Sequence, residues 1–189
     1  MSSIYKIVLL SVLLFVVIDG DTGYDYGMVI DAGSTHSALY IYRFENRITS
    51  TNIPPQSSPI QTTHSPDSGP VGFLTSQSAS DELISTLTSF AKTELEEDKL
   101  RWYEFPIYLK ATAGMRILSN DDRERILGYM ENSFLNDTIN PFRWDITYSI
   151  IASGEEEATF DWLGVNYIYD RLININNDID SDDLSTYGA

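Results

Sequence analysis

The stretch Met28-Val29-Ile30-Asp31-Ala32-Gly33-Ser34-Thr35-His36-Ser37, continuing as Ala38-Leu39-Tyr40-Ile41-Tyr42-Arg43-Phe44, decides how this chain folds. Met28 to Ile30 is the apolar run of a buried strand, and Ala38 to Phe44 is rich in β-branched and aromatic side chains. Between them lies a tight turn of small and hydroxyl residues, with the carboxylate of Asp31 where the first strand ends. Gly33 lets backbone approach a ligand closely, and successive N–H groups of such a turn form an anion-binding concavity. Asp31 can position a hard divalent cation, directly or through its water shell. A strand–turn–strand of this make-up can therefore hold a phosphate chain and its metal ion.

Working outward, Asn46 and Arg47 read as the next hairpin turn and Ile48 to Ile53 as a third strand. Pro54 to Ser80 reads as loop, because five of the seven prolines (Pro54, Pro55, Pro59, Pro66, Pro70) fall there among Ser, Thr and Gly. A helix is expected from Ser78 or Ser80, with Asp81 and Glu82 in its first turn. Leu83, Ile84, Leu87, Phe90, Ala91 and Leu95 would form its inward face, with Lys99 and Arg101 toward its C-terminal end. Phe105 to Thr112 reads as a buried strand, and Asn120 to Phe134 as a helix capped by Ser119 or Asn120. Trp144, Ile146, Tyr148 and Ile150 alternate as a strand, and Ala158, Trp162, Val165, Tyr169 and Leu172 mark a last helix. Three strands in a meander followed by alternating helices and strands make an α/β domain on a mixed sheet.

The chain has 189 residues, enough for one domain with a sizeable core. Its 28 acidic and 12 basic side chains leave a formal net charge of −16, which excludes a nucleic-acid partner, since no basic stripe exists to neutralise phosphates. Phosphate chemistry here must rest on backbone amides and a cation. With no cysteine, disulfides and thiol catalysis are excluded within these residues. Lys6 precedes the apolar run Ile7 to Ile18, whose 12 residues are too few to span a bilayer and are followed by Asp19-Gly20. Residues 1–20 are therefore expected to be a secretory signal peptide, with an uncleaved signal anchor at the membrane as the alternative. Residues 21–189 are then the folded, phosphate-binding domain. Asn136-Asp137-Thr138 is a glycosylation acceptor sequence consistent with that route.

Two further segments carry candidate chemistry. Pro106-Ile107-Tyr108-Leu109 leads into Lys110-Ala111-Thr112-Ala113-Gly114-Met115-Arg116, a second strand end followed by small residues and one hydroxyl. Ligands gather at strand carboxyl ends in α/β folds, so Thr112 is placed to touch a phosphate or an attacking water. A turn using Ala and Gly only for close packing is the plainer alternative. In Ile150-Ile151-Ala152-Ser153-Gly154-Glu155-Glu156-Glu157, a third strand end opens a helix with three glutamates in its first turn. Glutamates there stabilise the helix dipole, and three are redundant for that purpose. Successive side chains diverge by about 100° on a helix, so only one or two can face the strand ends, where one could act as general base on a water.

These three segments resemble the apyrase conserved motifs of the ectonucleoside triphosphate diphosphohydrolases, within the actin-like, ribonuclease H-like superfamily. Asp31-Ala32-Gly33-Ser34-Thr35-His36-Ser37 is similar to the first motif, Asp-Ala-Gly-Ser-Ser-His-Thr. Ala111 to Arg116 matches the second at every position, and Gly154 to Trp162 matches the third with two departures. His36 and the Leu39 to Tyr42 strand look more like the cell-surface members than the intracellular diphosphatases. The resemblance implies a five-stranded mixed sheet flanked by helices. It also implies phosphate binding by Gly33, Ser34, Thr35, His36 and Ser37, and Asp31 holding Ca2+ or Mg2+ through water. Thr112 would then lie beside the nucleophilic water, with Glu157 as its general base. Substrates would be nucleoside tri- and diphosphates such as ATP and ADP, hydrolysed to monophosphate and phosphate outside the cell.

The departures are Ala158 and Asp161, each standing where the family has glycine. Asp161 falls four residues after Glu157 on one helical face, where it is expected to repel that carboxylate and retune the base. The end, Ser185-Thr186-Tyr187-Gly188-Ala189, resembles the residues before the family's fourth motif. The sequence is accordingly expected to be an N-terminal part without the second domain, inactive alone. A non-catalytic secreted module binding nucleotide or a partner is the competing expectation.

Overall fold

The computed structural model describes residues 25–33, 36–44, 59–65 and 76–168. Its five strands are β1 (Asp25–Ala32), β2 (Ser37–Phe44), β3 (Pro59–Ser65), β4 (Ile107–Ala111) and β5 (Ser149–Ile151). They form one sheet in the order β3-β2-β1-β4-β5. β1, β2 and β3 pair antiparallel as a meander, whereas β4 joins β1 and β5 joins β4 in parallel. Parallel joins need crossovers. The chain passes through α1 (Gln77–Glu94) and a 3₁₀ segment (Glu96–Glu104) before β4, and through α2 (Ala113–Arg116) and α3 (Asn120–Phe134) before β5. Helix α4 (Gly154–Ile168) follows β5.

Period-two alternation divides the strands into two faces. Met28, Ile30, Leu39, Ile41, Ile107 and Leu109 are fully buried in one cluster with Ile84 and Leu87 of α1 and Ile126, Met130 and Phe134 of α3. Each such aliphatic side chain contributes about 1.5–3 kcal/mol on burial. Val29, Ala38, Tyr40, Tyr42 and Tyr108 lie on the opposite face. Helices α1 and α3 meet along a polar seam, where Ser80 Oγ lies 2.9 Å from Ser133 Oγ and Ser133 donates to Asp81 at 2.7 Å. Arg101 closes the base of the sheet, reaching Asp25 and Glu104 at 2.8 Å each.

Several expectations shift. Residues 48–53 lie outside the described residues, and the segment read as loop contains β3. Pro59 is tolerated because it opens an edge strand, where a missing N–H costs no ladder bond. Helix α1 begins earlier than expected, because Ser76 caps it by accepting from the Ala79 N–H at 3.2 Å, so Asp81 and Glu82 fall beyond the first turn. Lys99 and Arg101 belong to the 3₁₀ segment, since the α-helix closes at Leu95. The strand read from Trp144 to Ile150 is mostly a 3₁₀ turn, Ile146–Tyr148, capped by Asp145 accepting from the Thr147 N–H at 2.9 Å. Only Ser149–Ile151 pairs with the sheet. Helix α3 matches its expected limits, with Ser119 accepting from the Asp122 N–H at 3.1 Å.

Candidate functional site

Three strand ends converge. The registers pair Ala32 with Ala111 and Ala111 with Ile151, so β1, β4 and β5 finish side by side at their carboxyl ends. Backbone bonds extend this alignment past the strands: the Thr112 N–H donates to Ala32 O at 3.3 Å, and the Ala152 N–H to Ala111 O at 2.9 Å. Residues far apart in sequence thereby reach one rim, the usual ligand position in such sheets.

On β1, Asp31 Oδ1 is buried without a hydrogen-bond partner among the described residues. Burial pushes its carboxyl from 3.8 up to about 6; nearby His36 opposes that rise and Glu157 adds to it. The turn beyond is closed by the Gly33 N–H donating to His36 O at 3.0 Å. A Cβ at Gly33 would come 3.2 Å from the same carbonyl oxygen, so the turn is tight against any side chain there. Since that amide is engaged within the turn, what Gly33 offers a ligand is the space of its missing side chain. His36 is exposed and Ser37 buried, while Ser34 and Thr35 lie outside the described residues.

Just past β4, Thr112 caps the single-turn helix α2 through its backbone, and its hydroxyl makes no capping bond. That leaves the hydroxyl free of the usual N-cap duty. At the α4 start the three glutamates divide. Glu156 and Ser153 form a reciprocal capping box: the Ser153 N–H donates to Glu156 Oε2 at 2.7 Å, and the Glu156 N–H to Ser153 Oγ at 3.1 Å. Glu155 is exposed. Glu157 turns to Arg116, whose Nη1 lies 2.7 Å from Glu157 Oε2 and 2.6 Å from Ala152 O. The setting of Glu157 thus includes a direct guanidinium contact.

Two residues here were not singled out for a role in the sequence. Arg116 stood inside a recognised motif. Lys110 is 3% exposed in the middle of β4, level with Asp31 in the β1 register. Its Nζ has no hydrogen-bond partner among the described residues and sits 4.3 Å from the centroid of the Phe160 ring. Burial lowers its ammonium from 10.5 to about 8, with Glu156 opposing the fall. The signal for Lys110 was a lone cation inside the otherwise apolar run Ile107–Ala111.

Among the described residues no group of three or more His, Cys, Asp or Glu side chains could hold a metal ion. A single unpartnered carboxylate does suit a hydrated hard cation, which keeps several waters of its own. Asp31 fits that role by chemistry.

A family model described as the GDA1/CD39 (nucleoside phosphatase) family matches residues 18–189. Rat ectonucleoside triphosphate diphosphohydrolase 1 is 29% identical over 173 residues, covering 87% of this chain and 32% of that protein. Human ectonucleoside triphosphate diphosphohydrolase 2 is 31% identical over 150 residues, covering 78% of this chain and 29% of its own length. The chain thus spans about a third of the curated relatives it matches. In structure, a nucleoside triphosphate hydrolase from Neospora caninum superposes with a TM-score of 0.58 at 16% identity, over 79% of this chain and 32% of that one, which establishes a shared fold. No helix among the described residues is long and apolar enough to cross a membrane. The chain belongs to the GDA1/CD39 (nucleoside phosphatase) family.

Proposed function

We propose that this chain supplies the first phosphate turn, the water-side hydroxyl and the general base of an extracellular nucleotidase. Its substrates would be nucleoside tri- and diphosphates, ATP and ADP among them, hydrolysed to monophosphate and phosphate. The observation that carries this reading is the convergence of Asp31, Thr112 and Glu157 on three adjacent strand ends, with the buried Asp31 Oδ1 unpartnered.

In the reaction, a water molecule attacks the terminal phosphorus in line with the bridging oxygen that leaves. Such transfers have loose transition states and depend mainly on positioning and on spreading of negative charge. Glu157 accepts the proton of the attacking water, and the Thr112 hydroxyl orients that water. The turn Gly33, Ser34, Thr35, His36 and Ser37 seats the terminal phosphates, with Gly33 providing clearance. Asp31 would hold Ca2+ or Mg2+ through water, and the cation would neutralise phosphate charge that a chain of net charge −16 cannot. Entry into the secretory route, with or without anchorage at residues 1–20, accompanies this reading.

The test is phosphate release from ATP, ADP and AMP by the product of the complete natural transcript, with Ca2+, Mg2+ or EDTA. Release from ATP and ADP but not AMP, abolished by EDTA, is expected. Glu157→Gln should lower kcat by about 10²–10⁴, the range of general-base catalysis. Undiminished turnover in that variant would sink the base assignment. Calorimetric binding of ADP without any turnover would favour the non-catalytic module.

A further inference from the structure

We propose that Arg116 is the positioning residue for Glu157, holding the carboxylate that receives the water proton in one orientation; this rests on the role proposed above for Glu157. Arg116 comes from the short helix α2 that follows Thr112, so the hydroxyl beside the water and the clamp on its base leave the same strand end. Its Nη1 donates to two acceptors at once, Ala152 O at 2.6 Å and Glu157 Oε2 at 2.7 Å. Ala152 is the residue just beyond β5, and Glu157 lies in the first turn of α4. A single guanidinium nitrogen therefore ties the end of one strand to the catalytic turn of the next helix.

This arrangement suits the chemistry. A glutamate side chain has three rotatable bonds, and an unrestrained one samples many rotamers, each lost when the base must face the water. Arg116 occupies Oε2, which leaves Oε1 as the oxygen for the water. A lysine ammonium sits on a flexible stem without the rigid plane that aims Nη1 at both acceptors, so lysine is only a partial substitute here. The pair is partly exposed, with side-chain exposures of 31% and 32%, a setting in which ion pairs add little to folding stability. What the contact contributes is orientation, and the loose transition state of phosphoryl transfer depends on orientation of the nucleophile more than on strength of the base.

The test is a double-mutant cycle in the product of the complete natural transcript. Arg116→Met should lower kcat for ADP by about 10²-fold with KM changed by less than about three-fold, the signature of an interaction made in the transition state. Arg116→Lys should recover part of that loss, and it keeps the test available if Arg116→Met does not fold. In a Glu157→Gln background Arg116→Met should cost less than about two-fold, because a residue acting through Glu157 has nothing left to position. A rise in KM with kcat retained would instead make Arg116 a phosphate ligand and overturn the proposal. Equal losses in both backgrounds, accompanied by a lowered melting temperature, would make it merely structural and overturn it too. If Glu157→Gln alone keeps full kcat while Arg116→Met does not, the role of Glu157 as base is what fails.

Discussion

The two faces of the sheet are cut from the same strands yet built to different ends. On one, Met28, Ile30, Leu39, Ile41 and Leu109 disappear beneath α1 and α3, and the polar groups near them are satisfied. Ser80 meets Ser133, Thr88 donates to Ile139 O at 2.7 Å, and Asn140 donates to Phe134 O and Phe142 O at 3.1 Å each. On the other face the same alternation presents Tyr40, Tyr42, Tyr108, Asp31 and Lys110. Of the four buried side-chain atoms lacking a partner among the described residues, three (Asp31 Oδ1, Tyr42 Oη and Lys110 Nζ) are on this face. A buried polar atom without a partner costs about 1–3 kcal/mol, so such atoms persist where something other than stability retains them. One face holds the domain together; the other carries the strain of a site.

The sharpest way to break this contrast is to truncate the apolar face. Leu109→Ala removes a fully buried side chain beneath two helices and should cost about 3–4 kcal/mol, read from the denaturant midpoint at constant m-value. A cost below about 1 kcal/mol would show the two faces to be equally loosely packed.

The opposite sign is expected one residue away. Lys110→Met keeps the length of the side chain and removes a buried charge. In the folded state this ammonium is depressed from 10.5 to about 8, so the unfolded chain binds the proton more tightly between those values. Wild-type stability from this group therefore rises with pH from about 8 to 10.5. The Met variant should gain about 2–3 kcal/mol at pH 7 and lose that advantage above the upper value, as melting curves across the range would reveal. Its gain is trimmed by loss of the ring contact with Phe160.

Asp31→Asn makes the complementary test. The Asp31 carboxyl is raised from 3.8 to about 6, so here the folded chain holds the proton more tightly. Wild-type stability then falls as pH rises between those values. In EDTA the Asn variant should be more stable by about 2 kcal/mol at pH 7 and no more stable than wild type below pH about 4. An advantage that persists at pH 4 would remove burial of the charge as its cause.

How far this division was legible in the sequence differs by element. Helix α3 was readable because its apolar spacing and its Ser119 cap are both local. Strand β3 was not, because an edge strand accepts the proline and polar residues that otherwise signal a loop. Strand β5 is only three residues long, too short for alternation to separate it from the 3₁₀ turn before it. In the site, Asp31, Thr112 and Glu157 were legible because each stands just where a strand ends or a helix begins. Arg116 and Lys110 were not assigned a role, because Glu157 and Ala152, the acceptors of Arg116, lie 41 and 36 residues away, and Lys110 rests on a ring of α4.

The smallest expected effect concerns the three glutamates that open α4, which looked interchangeable in sequence. They are not. Ser153→Ala should cost about 1 kcal/mol by removing one half of the capping box. Glu156→Gln should weaken the other half, and only at neutral pH. The Ser153 backbone N–H holds that carboxyl below its ordinary 4.5, so its contribution is present above that value and lost as pH falls through the lower folded one. Glu155→Gln, exposed and uncapped, should change melting least of the three. A melting series across pH 3 to 7 that ranks Ser153→Ala and Glu156→Gln above Glu155→Gln separates capping from mere proximity to the helix dipole. Equal effects at all three positions would return the run to a uniformly solvated first turn.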